Sequence, residues 1–187
     1  MHKKIGLLLL ICGLLLILKP LAEHGYTYYQ QLQLKNELKQ TEDIKDSMAD
    51  NHQIKPPFLL EIPSISVEAV VVEGVEDKDL RRGPGWDPRG VYPGMEGKLI
   101  IAAHNNVYGS YFKDLHKLKA GDMVYIASTK ESNHKLAYRV KKQNTIDVSD
   151  SAAIFSPTKD HILTLITCTS PSDSKKRVVV TAQQINS

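Results

Sequence analysis

Leu163-Thr164-Leu165-Ile166-Thr167-Cys168 is the stretch that decides how this chain is read. Its apolar and β-branched residues run on without a break, the pattern of a strand buried on both faces. The strand ends at a thiol. The chain then enters Thr169-Ser170-Pro171-Ser172-Asp173-Ser174, a run of turn formers. A second apolar strand, Val178-Val179-Val180, starts directly after Arg177. A hairpin of these two strands brings a cysteine at the mouth of one close to an arginine at the start of the next. The rest of the chain can be asked what it supplies to a reactive thiol.

Composition narrows the answer. The 187 residues fit one ordinary domain plus appendages, and the net charge of +3 is too small to argue for nucleic acid. No internal repeat, low-complexity tract or glycine-rich phosphate loop is present. There are two cysteines, Cys12 and Cys168. Cys12 lies in the N-terminal apolar run, so a disulfide between them is not expected. In an exported domain a lone thiol is a liability unless it is used. Burial as a small hydrophobe is the competing account of Cys168.

Met1-His2-Lys3-Lys4 is a short basic start, and Ile5 to Leu18 is fourteen residues without a polar side chain. Counting through Ala22, with the Lys19 stem reaching to the surface, gives a span close to the ~20 residues a bilayer needs. A cleaved signal peptide is the rival. Cleavage after Ala22 would put Pro20 where a small residue is wanted, so residues 1–22 are read as an uncleaved anchor. Lys3 and Lys4 ahead of the span place the N-terminus inside and the bulk outside. Residues 23–57 are polar and helix-prone. Leu34, Leu38, Thr41 and Met48 fall near helical spacing, yet Glu, Gln, Lys and Asp fill most other positions. This is the pattern of a solvated helical stalk, with a partner-binding helix as the alternative. Lys55-Pro56-Pro57 cannot continue a helix and forms a hinge.

From Phe58 onward, residues 58–187 change to short β segments. Strands are expected at Phe58–Ile62, Ile65–Val72, Lys98–Ala103, Met123–Ala127 and Lys135–Ile146, followed by the two that flank Cys168 and Arg177. Glu76–Arg81 reads as one helical turn, Ser110–Lys117 as a short helix, and Arg82–Gly90 as an irregular loop. A further helical turn is expected around Ser151–Phe155. Seven or eight short strands with few helices point to a closed or nearly closed β-barrel. Some 130 residues suffice for a single core.

A working thiol needs a neighbour that favours the thiolate or moves protons. Of the seven histidines, His104 is distinct. It ends the apolar strand Leu99-Ile100-Ile101-Ala102-Ala103 and precedes a loop, so it sits at a strand end as Cys168 does. Arg177 is an unusual third member, because a guanidinium has only donors and cannot orient an imidazole by accepting its proton. It can donate to an oxyanion or to a peptide carbonyl. Thiol, imidazole and donor-only cation together suggest acyl transfer. For each of the three a plain structural role is the alternative. Other chemistries lack their residues: there is no HExxH, no zinc-spaced cysteine pair and no GxSxG elbow. Glu73, Glu76, Asp77 and Asp79 could gather calcium, but a solvated acidic turn explains them better.

Ala102-Ala103-His104, Phe112-Lys113-Asp114-Leu115, Leu118-Lys119-Ala120-Gly121-Asp122, Thr164-Leu165-Ile166-Thr167-Cys168 and Arg177-Val178-Val179-Val180 together resemble the sortase family of Gram-positive bacteria. Leu60-Glu61-Ile62-Pro63-Ser64-Ile65 and Leu80–Trp86 look most like class D. Two positions depart from the usual pattern: Ala103 stands where Gly precedes the histidine, and Asn105 where Arg or Gly follows it. The resemblance implies an all-β fold with short helices, an eight-stranded sortase barrel behind a membrane anchor and stalk. It implies a cysteine transpeptidase without metal or cofactor that joins surface proteins bearing an LPxTG-like sorting signal to an amine of a peptidoglycan precursor. Cys168, His104 and Arg177 would be catalytic. Thr167 would support the pocket, and the backbone N–H of Thr169 would add an oxyanion donor. A groove for the apolar part of the signal is expected at Ile146, Val148, Ala152, Ala153, Ile154 and Phe155. A cysteine hydrolase on the same site and a non-enzymatic, membrane-tethered wall-binding domain are the competing functions.

Overall fold

A computed structural model describes residues 2–45, 53–129, 132, 135–170 and 173–185. The β-branched runs form eight strands: β1 (Phe58–Ile62), β2 (Val67–Glu73), β3 (Gly85–Trp86), β4 (Gly97–Ala102), β5 (Met123–Ala127), β6 (Lys135–Asp147), β7 (His161–Ser170) and β8 (Asp173–Ile185). They close into a barrel in the order β1-β2-β3-β4-β7-β8-β6-β5. The pairs β2/β3 and β4/β7 are parallel. Among the described residues two α-helices accompany them, α1 (His2–Lys45) and α2 (Asp77–Leu80).

The alternation read from the sequence is what fills the barrel. Phe58, Leu60 and Ile62 on β1, Ala69 and Val71 on β2, and Leu163 and Leu165 on β7 point into one core cluster with residues of β4, β5, β6 and β8. Thr167 continues the core face of β7, and Thr164 on its other face is buried as well, as the two-faced burial of that strand requires.

Two local expectations change. The loop Arg82–Gly90 contains β3, which fits because Gly85 lacks a side chain. A Cβ there would lie 2.0 Å from the Gly74 carbonyl oxygen, so only glycine lets the two backbones meet. Ser110–Lys117 is not a helix; only Leu115–Lys117 forms a 3-10 turn. Phe112, Leu115 and Leu118 are all buried in the core. Their three-residue spacing suits a tight three-per-turn path better than an α-helix.

The solvated stalk is also corrected. α1 runs unbroken from the apolar segment to Lys45, and its apolar N-terminal part is open to the surroundings, with Leu16 75% exposed. Among the described residues it is the one helix long and apolar enough to cross a membrane. Farther along, Thr27, Gln31, Leu34 and Leu38 form a buried stripe against the barrel. Leu34 and Leu38 cover Val70 and Val72, which β2 turns outward. Two members of the stripe are polar, which is why the segment resembled a solvated helix. Gln31 acts as a substitute strand residue. Its amide accepts from the Val70 N–H at 2.7 Å and donates to the carbonyls of Val70 at 3.0 Å and Arg82 at 2.9 Å. Thr27 donates to the Arg81 carbonyl at 2.8 Å. Met48 and the rest of 46–52 lie outside the described residues.

Gln31→Ala should lower the unfolding free energy of the full chain in detergent by about 1–3 kcal/mol for each backbone group left unpaired. Leu34→Ala should cost about 2–5 kcal/mol. Denaturant titration reads both, and wild-type stability in both variants would mean that the docked helix contributes nothing.

Candidate functional site

Strand register assembles the three residues singled out by the sequence. In the β7–β8 hairpin Cys168 lies directly opposite Arg177. On the other side of β7, parallel β4 pairs Ile101 with Leu165 and Ala102 with Ile166. Two residues farther along both chains, His104 comes level with Cys168. The stitching continues beyond the end of β4. The Ala103 N–H donates to the Ile166 carbonyl at 3.2 Å, and the buried Thr167 hydroxyl donates to the Ala103 carbonyl at 2.8 Å. Asn105 Nδ2 then donates to the carbonyls of Cys168 at 2.8 Å and Thr169 at 3.2 Å. Thr169, the residue whose backbone N–H was expected to add a donor, thus lies in a segment fixed by a side chain.

Cys168 is a free, half-exposed thiol. Arg177 is half-buried, and its Nη1 donates to the Lys176 carbonyl at 3.0 Å. His104 is half-buried too, and its Nε2 is shielded from solvent with no hydrogen-bond partner. The nearby carboxylate of Asp77 stands 3.8 Å from that nitrogen. Asp77 is gripped by Arg81, whose Nε lies at 2.8 Å. The Arg81 guanidinium sits 5.1 Å from the centre of the Tyr108 ring, which is tilted against His104 at 5.7 Å. Burial pushes the His104 pKa below its ordinary value; Asp77 opposes this and Arg81 adds to it.

Residues 60–185 match the family described as "Sortase domain". The chain belongs to the sortase family. It is 25% identical to sortase A of Listeria monocytogenes over 98% of this chain and 91% of that protein. It is 26% identical to sortase D of Bacillus subtilis, over 68% and 64% of the two chains. Among solved structures, a Clostridium perfringens sortase D5 transpeptidase superposes with a TM-score of 0.69 at 23% identity, covering 84% of this chain and 99% of that one. The L. monocytogenes sortase A structure gives 0.60 at 26% identity, covering 73% and 89%. The eight-stranded barrel is the sortase fold, and sortases are cysteine transpeptidases.

The remaining candidates fall elsewhere in this sortase. His161 pairs with Gly97 at the opposite end of β7 from Cys168. His116 is on the 3-10 turn, bonded to the Lys113 carbonyl, and His24 is on α1. His52 and His134 lie outside the described residues. The acidic run serves local structure: Asp79 caps α2, Lys78 pairs with Glu76, and Arg81 takes Asp77. The β6–β7 connection is a 3-10 stretch, Val148–Phe155. It leaves from beside the site, since Ile146 pairs with Arg177. Its far end is held where Lys98 donates to the Ala153 carbonyl at 2.9 Å and Arg89 lies 4.1 Å above the Phe155 ring. Within it Ile154 is buried, whereas Val148, Ala152 and Ala153 are exposed. These exposed positions are free to face a ligand.

Sequence reasoning missed the work of Asn105, Asp77, Arg81 and Tyr108. Asn105 stood out only as a departure from the family pattern, although a short donor side chain just past a strand end was a usable signal. The Asp77/Arg81 spacing of four was another.

Asn105→Asp should be worse than Asn105→Ala, because a carboxylate in that place would face two carbonyl oxygens with no proton to give. Thermal unfolding and the alkylation rate of Cys168 measure this, and equal behaviour of the two variants would contradict it. Asp77→Asn removes the influence that raises the His104 pKa. His104 should then take up its proton at a lower pH than in the wild type, as followed by the NMR titration of its ring proton. An unchanged or higher midpoint would exclude Asp77 as an electrostatic neighbour.

Proposed function

We propose that this sortase cleaves an LPxTG-like sorting signal between Thr and Gly and passes the acyl group to a cell-wall amine. The observation that supports it most is the cross-strand pair Cys168–Arg177 with His104 in parallel register beside it. Cys168 passes its thiol proton to His104, the thiolate attacks the threonine carbonyl carbon, and Arg177 donates to the resulting oxyanion, joined by the Thr169 N–H. As the C–N bond breaks, His104 gives its proton to the departing glycine amine, leaving a thioester on Cys168. An incoming amine attacks that thioester and loses its proton to His104. The new amide leaves, and the thiol and imidazole are restored. Thr167 takes no proton; it holds the Ala103 backbone and with it the approach to His104.

The lowered His104 pKa makes its imidazolium a stronger acid toward the departing amine, and its imidazole a weaker base toward the incoming one. The apolar portion of the signal is assigned to the surface beside the β6–β7 connection, where Val148, Ala152 and Ala153 are exposed. The amine acceptor is assigned to a peptidoglycan precursor. The exposed apolar part of α1 is taken as the membrane anchor, with Lys3 and Lys4 inside and the barrel outside. Class D membership is proposed from Leu60–Ile65 and Leu80–Trp86.

An LPxTG peptide supplied with an amine should yield the amine adduct, and Cys168→Ala should not. Joining by Cys168→Ala would sink the assignment. Products that contain only the hydrolysed peptide at every amine concentration would make the protein a hydrolase instead. Arg177→Lys should lose about 10²–10³ in kcat, the typical loss on removing an oxyanion donor. Near-wild-type turnover would mean that only the positive charge matters.

A further inference from the structure

Four contacts describe how α1 meets the barrel. His24 Nδ1 accepts from the Gly109 N–H at 3.3 Å, and Thr27 donates to the Arg81 carbonyl. Beyond them, Lys35 pairs with Glu68 at 2.9 Å, and the Leu38 side of the helix lies beside Leu59 and Thr129. The helix therefore crosses the barrel wall from the rim that flanks His104 toward β1 and β5. From Thr27 to Leu38 this path is about 17 Å long at 1.5 Å per residue. The end that continues into the exposed apolar segment is the end at His104. Gly109 and Arg81 flank the Tyr108 ring that leans on the histidine.

A second observation sets the height. Tyr26, Tyr28 and Tyr29 are 49%, 67% and 58% exposed, in the same two turns as the Thr27 contact. Tyrosines at the end of a membrane span settle at the headgroup level. From Ala22, the last residue of the apolar segment, to Thr27 is only about 7.5 Å of helix. No flexible linker intervenes, because α1 is continuous through both regions.

We infer that the rim of the active site formed by α2 and the loop after His104 rests against the lipid headgroups, held there by the docked helix. The β1–β5 side of the barrel faces away. This rests on the membrane reading of α1 and deepens the proposed function. A site so placed meets acyl donors and amines that are themselves still tethered in the same bilayer, where their search is confined to a surface.

The test uses the full chain in phosphatidylcholine–phosphatidylglycerol vesicles carrying a headgroup spin label. In a Cys12→Ser, Cys168→Ala background, single fluorophores are attached at Asn106→Cys on the rim and at Lys135→Cys on the far side. Asn106 should be quenched severalfold more than Lys135. Adding Leu34→Glu, which undocks the helix, should abolish the difference. Equal quenching at the two sites, or a difference that survives undocking, overturns the inference. The readout needs no turnover, so it can fail while transpeptidation succeeds, and the reverse.

Discussion

The parallel pairing of β4 with β7 is the contact on which the rest depends. Parallel neighbours need a crossover, and this chain makes a long one to join that pair. After β4 it runs through the Phe112–Leu118 segment and the β5–β6 hairpin before returning as β7. The register of that one pair fixes which residue of β4's exit stands beside the thiol. A slip of one residue would turn every core side chain of one strand outward. Leu99, Ile101, Leu163 and Leu165 are all but completely buried, so the slip is heavily penalised. The placement of His104 is thus secured by packing well below it, while Thr167 and Asn105 continue the same registration where the main-chain ladder stops.

In the proposed cycle the division of labour around the thiol follows from donor and acceptor chemistry. Arg177 is placed on β8 opposite Cys168, on the other flank from His104. A group that only donates belongs where negative charge develops, and a group that can exchange a proton belongs beside the departing amine. Asp77, Arg81 and Tyr108 surround the imidazole without hydrogen-bonding its buried nitrogen. Asp77 raises the His104 pKa and Arg81 lowers it.

Much of this was visible in the sequence, for a physical reason. Period-two alternation and β-branched runs located every strand except β3, and the hairpin through Cys168 and Arg177 followed from two apolar runs around a turn. The position of His104 at a strand end was legible as well. What the sequence concealed were interactions made by polar side chains over long separations. Gln31 docks on Val70, and nothing in a polar helix marks one glutamine as the mimic of a peptide group. β3 has only two residues and owes its existence to a glycine contact. The Asp77–Arg81–Tyr108 shell arises because two loops meet, which neither loop announces alone.

The shortness of β3 has a wider consequence. β2 has a full-length neighbour on its β1 side, but β3 accompanies only its last residues, at Val72 and Glu73. At Val70 the neighbouring strand is replaced by an amide carried on α1. The helix α1 is therefore a piece of the barrel wall. A catalytic fragment trimmed back to residue 53 for solubility would bare the Val70 and Val72 side chains and an unpaired stretch of strand edge, the combination that invites another chain to add itself there.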